Sequence, residues 1–421
     1  MKIELAYGKR GLTIDLPGDQ TSIIEPQFIP GLPDELGAIR AALRNPIGTL
    51  PLRKSIEPGQ NIGISVCDIT RPMPSKIILP VILNELKHIH PSNITIFIAT
   101  GTHRKNTHSE LLSMLGEQPM GGGYNIVNHD AFNRDNLTEI GVTKENIPIL
   151  LNSDWIKKDF KITTGFVEPH FFAGFSGGPK MIAPGLAGFE TIMKLHDSDM
   201  ISNPNSKWGI THGNPIHDSI REIATLFPSD FTLDVTINKH RKITSVYAGE
   251  MFQVHKAACE FAHFTAMREV PEPFDIVVTT NSGYPLDMNL YQAVKGMSAA
   301  SQIVKPGGTI IMASECSDGI PDEGNFKALL SSEQSPSALL SKIAGQRKPI
   351  QDQWQVQILA KILIQSEIYL YSTLPEDSVY KAHLKPVRNI PTLITQLQKK
   401  YGESCRIAVL PEGPQTVPSL T

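Results

Sequence analysis

Cysteine is scarce in this sequence. Cys67, Cys259, Cys316 and Cys405 are spread over 421 residues and none forms a CxxC pair, so a disulfide framework is not expected. Charge of one sign is lacking too: 39 Lys and Arg stand against 42 Asp and Glu, a net charge of −3. That balance argues against a strongly electrostatic nucleic-acid or membrane-surface role, while a small anionic ligand needs only local positive charge. No apolar stretch of the roughly 20 residues needed to span a bilayer appears, and no secretory h-region follows Met1. Repeats and low-complexity linkers are absent. The expectation is a soluble, reduced, cytoplasmic protein with neither nucleic acid nor membrane as partner.

What is present is an ordinary apolar fraction of 40%, enough for buried cores, with 32 Gly and 32 Pro for tight turns. The length suggests two or three domains. Asn61 to Cys67 is a short β-branched run that reads as a buried strand. It ends in the polar loop Asp68-Ile69-Thr70-Arg71, with a helix start at Pro72 and helical spacing from Ile77 to Leu86. A second strand, Asn93 to Ala99, runs into Thr100-Gly101-Thr102-His103-Arg104 and a helix near Ser109 to Leu115. This alternation reads as parallel α/β, in which ligands sit outside the carboxyl ends of the strands. The pattern returns at Phe274 to Thr280, a helix near 289–303, and Thr309 to Ala313 after Pro306-Gly307-Gly308.

The expected architecture is therefore α/β, two domains with parallel-rich sheets flanked by helices and the active site in a cleft between them. The expected division is 1–268 for an N-terminal cofactor-binding domain and 269–403 for a C-terminal domain, with the tail 404–421 returning to the first.

The richest stretch runs from Glu168 to Lys180, with glycines at 174, 177 and 178. Glycines let backbone approach a ligand closely, and a lysine closing such a loop can meet a phosphate or act as a nucleophile. It is not a P-loop, because Pro179 precedes the lysine and Met181 follows it. A glycine turn with a solvated lysine fits this segment equally well. His103, His170 and His196 lie in or beside such loops; a single histidine in a chain of thirteen is more often structural than catalytic. Asp68 and Arg71 read either as a surface ion pair or as an anion clamp at the sheet edge. Gln292 and Lys295, three apart on a helix, share a face that is ordinarily just solvated.

Together these pieces resemble the nickel-pincer-dependent lactate racemase family. The likeness covers most of the chain. It is densest at Asp68 to Pro72, Ala99 to Arg104, His170 to Lys180, His196, and Tyr291-Gln292-Ala293-Val294-Lys295, all in the family's order. The resemblance implies an isomerase that racemises or epimerises a 2-hydroxy acid, such as lactate, by reversible hydride transfer. The cofactor it implies is a nickel-pincer nucleotide, a pyridinium mononucleotide whose two sulfur-containing arms hold nickel through S, C and S. By the same resemblance Lys180 is the covalent attachment point, through a thioamide, and His196 the protein's nickel ligand. Asp68, Ile69, Thr70 and Arg71 line the cofactor. His103 and His170 are the acid/base pair. Arg71, Tyr291, Gln292 and Lys295 face the substrate, and cofactor-synthesis enzymes are the implied partners. One departure is Pro179, where family members often carry a basic residue. The competing readings are a zinc-dependent hydrolase using the same three histidines and a non-catalytic nucleotide-binding or nickel-delivery protein. Neither gives a role to every one of these residues. The sequence does not select among 2-hydroxy acids.

Overall fold

The computed structural model describes residues 1–322 and 324–421. The chain forms two compact units. One comprises Phe28–His196 and Pro204–Thr265; the other comprises Met1–Gln27, Asp197–Asn203 and Ala266–Thr421. Among the described residues no helix is long and apolar enough to cross a membrane. All four cysteines are buried thiols.

The first unit is built on a six-stranded sheet. Its order is Ile243–Gly249, Phe231–Ile237, Phe160–Phe166, Ile62–Cys67, Ile94–Ala99 and Asn125–Asn128. Every neighbouring pair is parallel except the first. Ile62–Cys67 is buried at all six positions because it has a strand on each side and cover on both faces. Such a strand has no polar face to show, hence its unbroken apolar run. Ile62, Ile64, Val66, Ile94, Ile96 and Ile98 enter one core with Ile78, Leu79 and Ile82 of the helix Ser75–Glu85. The helix His108–Leu115 starts at a capping box: the Thr107 hydroxyl accepts from the Glu110 amide while the Glu110 carboxylate accepts from the Thr107 amide. That fixes the far end of the polar loop after Ala99.

The second unit carries a six-stranded sheet that is parallel throughout. Its order is Lys385–Pro386, Glu367–Tyr371, Val304–Ala313, Phe274–Thr280, Ile407–Leu410 and Thr21–Ile23. The helix Leu290–Ala300 connects Phe274–Thr280 to Val304–Ala313 as a crossover.

The division expected from sequence differs from this in three segments. The tail does not return to the first unit: Ile407–Leu410 is inserted between Phe274–Thr280 and Thr21–Ile23, and Val417–Leu420 pairs with Met267–Val270. The N-terminus follows it, because Ile3, Leu5, Ile14 and Leu16 bury into the core built on Ile276, Val278 and Val409. The short helix Ser198–Ser202 also belongs here, held by Gln357, whose amide donates to Ser198 O at 2.9 Å and Ser202 Oγ at 2.7 Å. The physical reason is that segments of three to five residues hold too little pattern to say which sheet or core they join.

Candidate functional site

The two polar loops at the carboxyl ends of Ile62–Cys67 and Ile94–Ala99 meet through side chains. Asp68 is buried, 4% exposed, and its Oδ2 lies 2.7 Å from His103 Nδ1. Its other oxygen accepts from the Thr70 hydroxyl at 2.6 Å and the Thr70 amide at 3.2 Å. Burial alone raises the carboxyl's pKa, but the hydrogen bonds from His103 and Thr70 and the charge of Arg71 outweigh it, and the pKa lies below the ordinary value. With Nδ1 donating to a carboxylate, the His103 ring presents Nε2 outward from a half-exposed side chain. The loop is set by its backbone: Gly101 N donates to Gly185 O, His103 N to Thr100 O, and the Thr100 hydroxyl to His129 O. The Asp68–Arg71 pair considered from sequence takes another form. Asp68 is engaged by His103 and Thr70, and Arg71 Nη1 faces Glu168 Oε1 at 3.5 Å. Ile69 is exposed on this loop.

The glycine-rich segment follows the strand Phe160–Phe166. Ser176 ties it back on itself: its hydroxyl donates to Phe166 O at 2.8 Å, and the amides of Glu168 and Ser176 are bound to Ser176 Oγ and Glu168 O, each at 2.9 Å. Gly178 has φ +49°, and a Cβ there would fall 2.4 Å from His255 Cγ, so the position is closed to other residues on two counts. Lys180 sits in the 3-10 turn Gly178–Met181. Pro179 opens that turn, where a missing N–H costs nothing and a fixed φ helps. The departure at 179 is thus compatible with the lysine's backbone.

His170, Lys180 and His196 gather around one ring, Phe172. His170 lies 4.5 Å from it edge-on, His196 5.2 Å edge-on, and Lys180 Nζ 5.8 Å from its centroid. His170 is buried and its Nδ1 accepts from the Ala173 amide at 3.3 Å, which leaves the ring proton on Nε2. His196 donates Nδ1–H to Ile192 O at 2.7 Å, so its lone pair is on Nε2. Burial, with the nearby Lys180 charge, pushes its pKa down to about 4 against a weaker opposing hydrogen bond to Ile192 O. A neutral imidazole whose second nitrogen is pinned by a backbone carbonyl is the form a metal ligand takes. Among the described residues no three His, Cys, Asp or Glu side chains are grouped to hold a metal, so His103, His170 and His196 do not form the ligand set of a zinc hydrolase.

Tyr291, Gln292 and Lys295 lie in the other unit, on the helix Leu290–Ala300, whose first turn is capped by Asn289. Lys295 Nζ donates to Gln292 Oε1 at 2.8 Å, and Tyr291 OH accepts from Trp354 Nε1 at 3.0 Å.

Residues 7–209 match the model of the lactate racemase N-terminal domain and residues 270–417 that of the lactate racemase C-terminal domain. A lactate racemase of Thermoanaerobacterium thermosaccharolyticum is 36% identical over 419 residues, covering 98% of this chain and 97% of the relative. The chain belongs to the lactate racemase family. A lactate racemase of Lactiplantibacillus plantarum is 34% identical, with 98% of each chain covered. The structure of the lactate racemase apoprotein from T. thermosaccharolyticum superposes with a TM-score of 0.93 at 35% identity, over 99% of this chain and 100% of that one. The two-unit α/β architecture is therefore that of a lactate racemase.

In this lactate racemase fold the glycine loop rests on a buried layer not anticipated from sequence. Asp234, fully buried, accepts from Gly178 N at 3.3 Å through Oδ1, while Oδ2 has no hydrogen-bond partner. His255 Nε2 lies 2.9 Å from Ser176 O, and His217 Nδ1 3.3 Å from Ala173 O; the two rings stack at 5.7 Å. Burial holds both imidazoles neutral, with pKa about 4 for His255 and about 3 for His217. The one local signal was Asp234 itself, a carboxylate inside the otherwise apolar and hydroxyl-bearing strand Phe231–Ile237.

Burial pushes the Asp234 carboxyl up from 3.8 to about 7, against the lowering hydrogen bond from Gly178. Below pH 3.8 folded and unfolded chains both hold the proton. Between 3.8 and 7 the unfolded chain releases it while the folded chain keeps it, so stability falls as pH rises and the loss is complete above 7. Asp234→Asn keeps the acceptor for Gly178 and cannot ionise. Its stability relative to the unsubstituted protein should rise by about 1–4 kcal/mol between pH 4.5 and pH 8. Urea unfolding at the two pH values measures this, and an equal difference at both would show that Asp234 does not titrate on unfolding.

Proposed function

We propose that the protein racemises a small 2-hydroxy acid, lactate or a close relative, in the cytoplasm, using a nickel-pincer nucleotide made by dedicated synthesis enzymes and attached to Lys180. The observation that carries the reading is the grouping of His170, Lys180 and His196 around Phe172, at the end of a loop joined through Glu168 and Arg71 to the Asp68–His103 pair. The residues fit the group. Lys180 offers an amine at the close of a glycine loop, and His196 offers a neutral buried Nε2, the kind of ligand nickel accepts. Thr70, Ile69 and the loop amides would lie along the nucleotide, which supplies, when bound, an acceptor for the α-hydrogen as hydride.

The chain's own residues then handle the proton and the carboxylate. The hydroxyl proton must leave as the α-hydrogen leaves, because the α-carbon beside a carboxylate is a poor carbon acid. The Asp68 carboxylate holds the His103 ring by Nδ1 and stabilises the imidazolium formed when Nε2 takes that proton. The two hands of substrate present the hydroxyl to opposite sides, so a second histidine is needed, and His170, whose ring proton lies on Nε2, would serve as the acid that returns a proton to the oxygen on the opposite side. Arg71, with Tyr291, Gln292 and Lys295, would hold the carboxylate and limit the orientations searched.

The test is the fate of the α-hydrogen. Substrate deuterated at the α-carbon should keep most of its label in the opposite enantiomer after partial conversion in ordinary water, read by mass spectrometry. Loss of label in step with inversion would replace hydride transfer with proton abstraction by the same histidines.

A further inference from the structure

Two consecutive glycines stand just before the turn that carries Lys180. Gly177 has φ +75° and Gly178 φ +49°, and neither has a Cβ to oppose rotation. The two peptides that flank Gly177 are therefore the easiest in the segment to turn over. The second of them also closes the turn: its carbonyl, Gly177 O, accepts from the Lys180 amide at 3.1 Å. Reversing that peptide removes this bond and redirects the lysine.

One buried side chain meets each peptide. The peptide between Ser176 and Gly177 presents its carbonyl to His255 Nε2 at 2.9 Å. The peptide between Gly177 and Gly178 presents its N–H to Asp234 Oδ1 at 3.3 Å. A carbonyl only accepts, so the His255 ring proton is on Nε2, and Cys259 Sγ, 3.4 Å from the same nitrogen, is the weaker partner. The ring itself has little room to follow a moving loop. It is 2% exposed, and it stacks on His217 with an angle of 15° between the planes. Its helix, Met251–Ala266, packs Ala258, Cys259 and Ala262 against Val167 and Phe175, which lie on either side of the bend.

Any side chain of similar volume would support the loop from below. A donor aimed at Ser176 O does more, because it fixes which way the peptide faces. Resting on the reading of Lys180 as the attachment point, we infer that His255 is a positioning residue for the attachment lysine: its Nε2–H locks the Ser176–Gly177 peptide, Asp234 locks the next, and together they hold the turn in the orientation that presents the Lys180 amine.

The test mixes purified apoprotein with cofactor made by the synthesis enzymes and follows the loaded fraction with time by intact mass. The unsubstituted protein is compared with His255→Met, His255→Gln and His255→Asn. Methionine fills the volume without a donor, glutamine carries an amide N–H about as far as Nε2, and asparagine stops short. At a temperature well below every unfolding midpoint, His255→Met and His255→Asn should load about tenfold or more slowly, and His255→Gln within about threefold of the unsubstituted rate. Amide hydrogen exchange of the apoprotein over residues 172–181 reads the lock without any cofactor. Protection there should be high in the unsubstituted protein and in His255→Gln, and lower by about tenfold or more in the other two. A glutamine variant that loads no faster than the methionine or asparagine variant overturns the inference. So does rapid exchange across this segment in the unsubstituted protein, a result that does not depend on any variant folding. Either outcome leaves the racemase reading intact. An unsubstituted protein that acquires no adduct overturns the attachment reading, and the inference with it.

Discussion

Lys180→Ala should fold, carry no covalent adduct and racemise nothing. The fold should survive because the lysine's structural contribution is its backbone: its amide donates to Gly177 O within the Gly178–Met181 turn, and alanine keeps that bond. The side chain is half-buried, so its removal leaves little core unfilled. The adduct should be lost because Lys180 is the single lysine of the Glu168–Lys180 segment, so nothing else there offers an amine. Intact mass of protein made alongside the cofactor-synthesis enzymes reads the outcome directly, without reference to turnover. Lys180→Arg separates charge from nucleophilicity, since it restores the cation beside Phe172 but cannot form the amide-like link. Retention of the adduct in either variant would place the attachment elsewhere.

His103→Ala and His170→Ala should each lower racemisation by about 100- to 10,000-fold, the usual worth of a positioned acid or base. Both should keep the adduct, because neither substitution removes the Lys180 amine at which the link forms. A racemase must handle the hydroxyl proton on both sides of its substrate, so losing either histidine should impair conversion in both directions. Asp68→Asn should fall between the unsubstituted protein and His103→Ala. The amide preserves the shape that Thr70 and His103 pack against but gives up the charge that stabilises a protonated ring. Initial rates from each enantiomer measure this, and a near-normal rate in both directions for either histidine variant would remove that histidine from the reaction.

The parts of the site that could be read in the sequence are those where chemistry and local structure coincide. Asp68 and His103 each follow a strand that is buried along most of its length, and such strands announce themselves by unbroken β-branched runs. The segment from Glu168 to Lys180 is legible because φ above zero and close approach at Gly177 and Gly178 leave few alternatives to glycine. What a spacing rule could not convey is which polar atoms meet. Asp68 reads as a partner of Arg71, three residues away, but its carboxylate reaches 35 residues along the chain to His103. His217 and His255 were invisible for a related reason: they support the loop from helices far along the chain, and no local pattern marks a residue that acts by being underneath, whereas Asp234 was marked only as a carboxylate in an apolar strand. Sheet membership failed for the shortest strands. Three residues at Thr21–Ile23 and four at Ile407–Leu410 hold too little pattern to choose between two parallel sheets.

That last pairing has a consequence for how the protein is made. Thr21–Ile23 finds its place in the sheet only against Ile407–Leu410, and the hairpin Lys2–Leu5 with Leu12–Asp15 buries into the core those strands share. The ribosome releases the first of these segments long before the second. At about 5–20 residues per second, the amino-terminal segment waits tens of seconds, unpaired and apolar on one face, while the unit that begins at Phe28 can close in the meantime. Thr21–Ile23 can thus complete its place in the sheet only once Ile407–Leu410 has emerged.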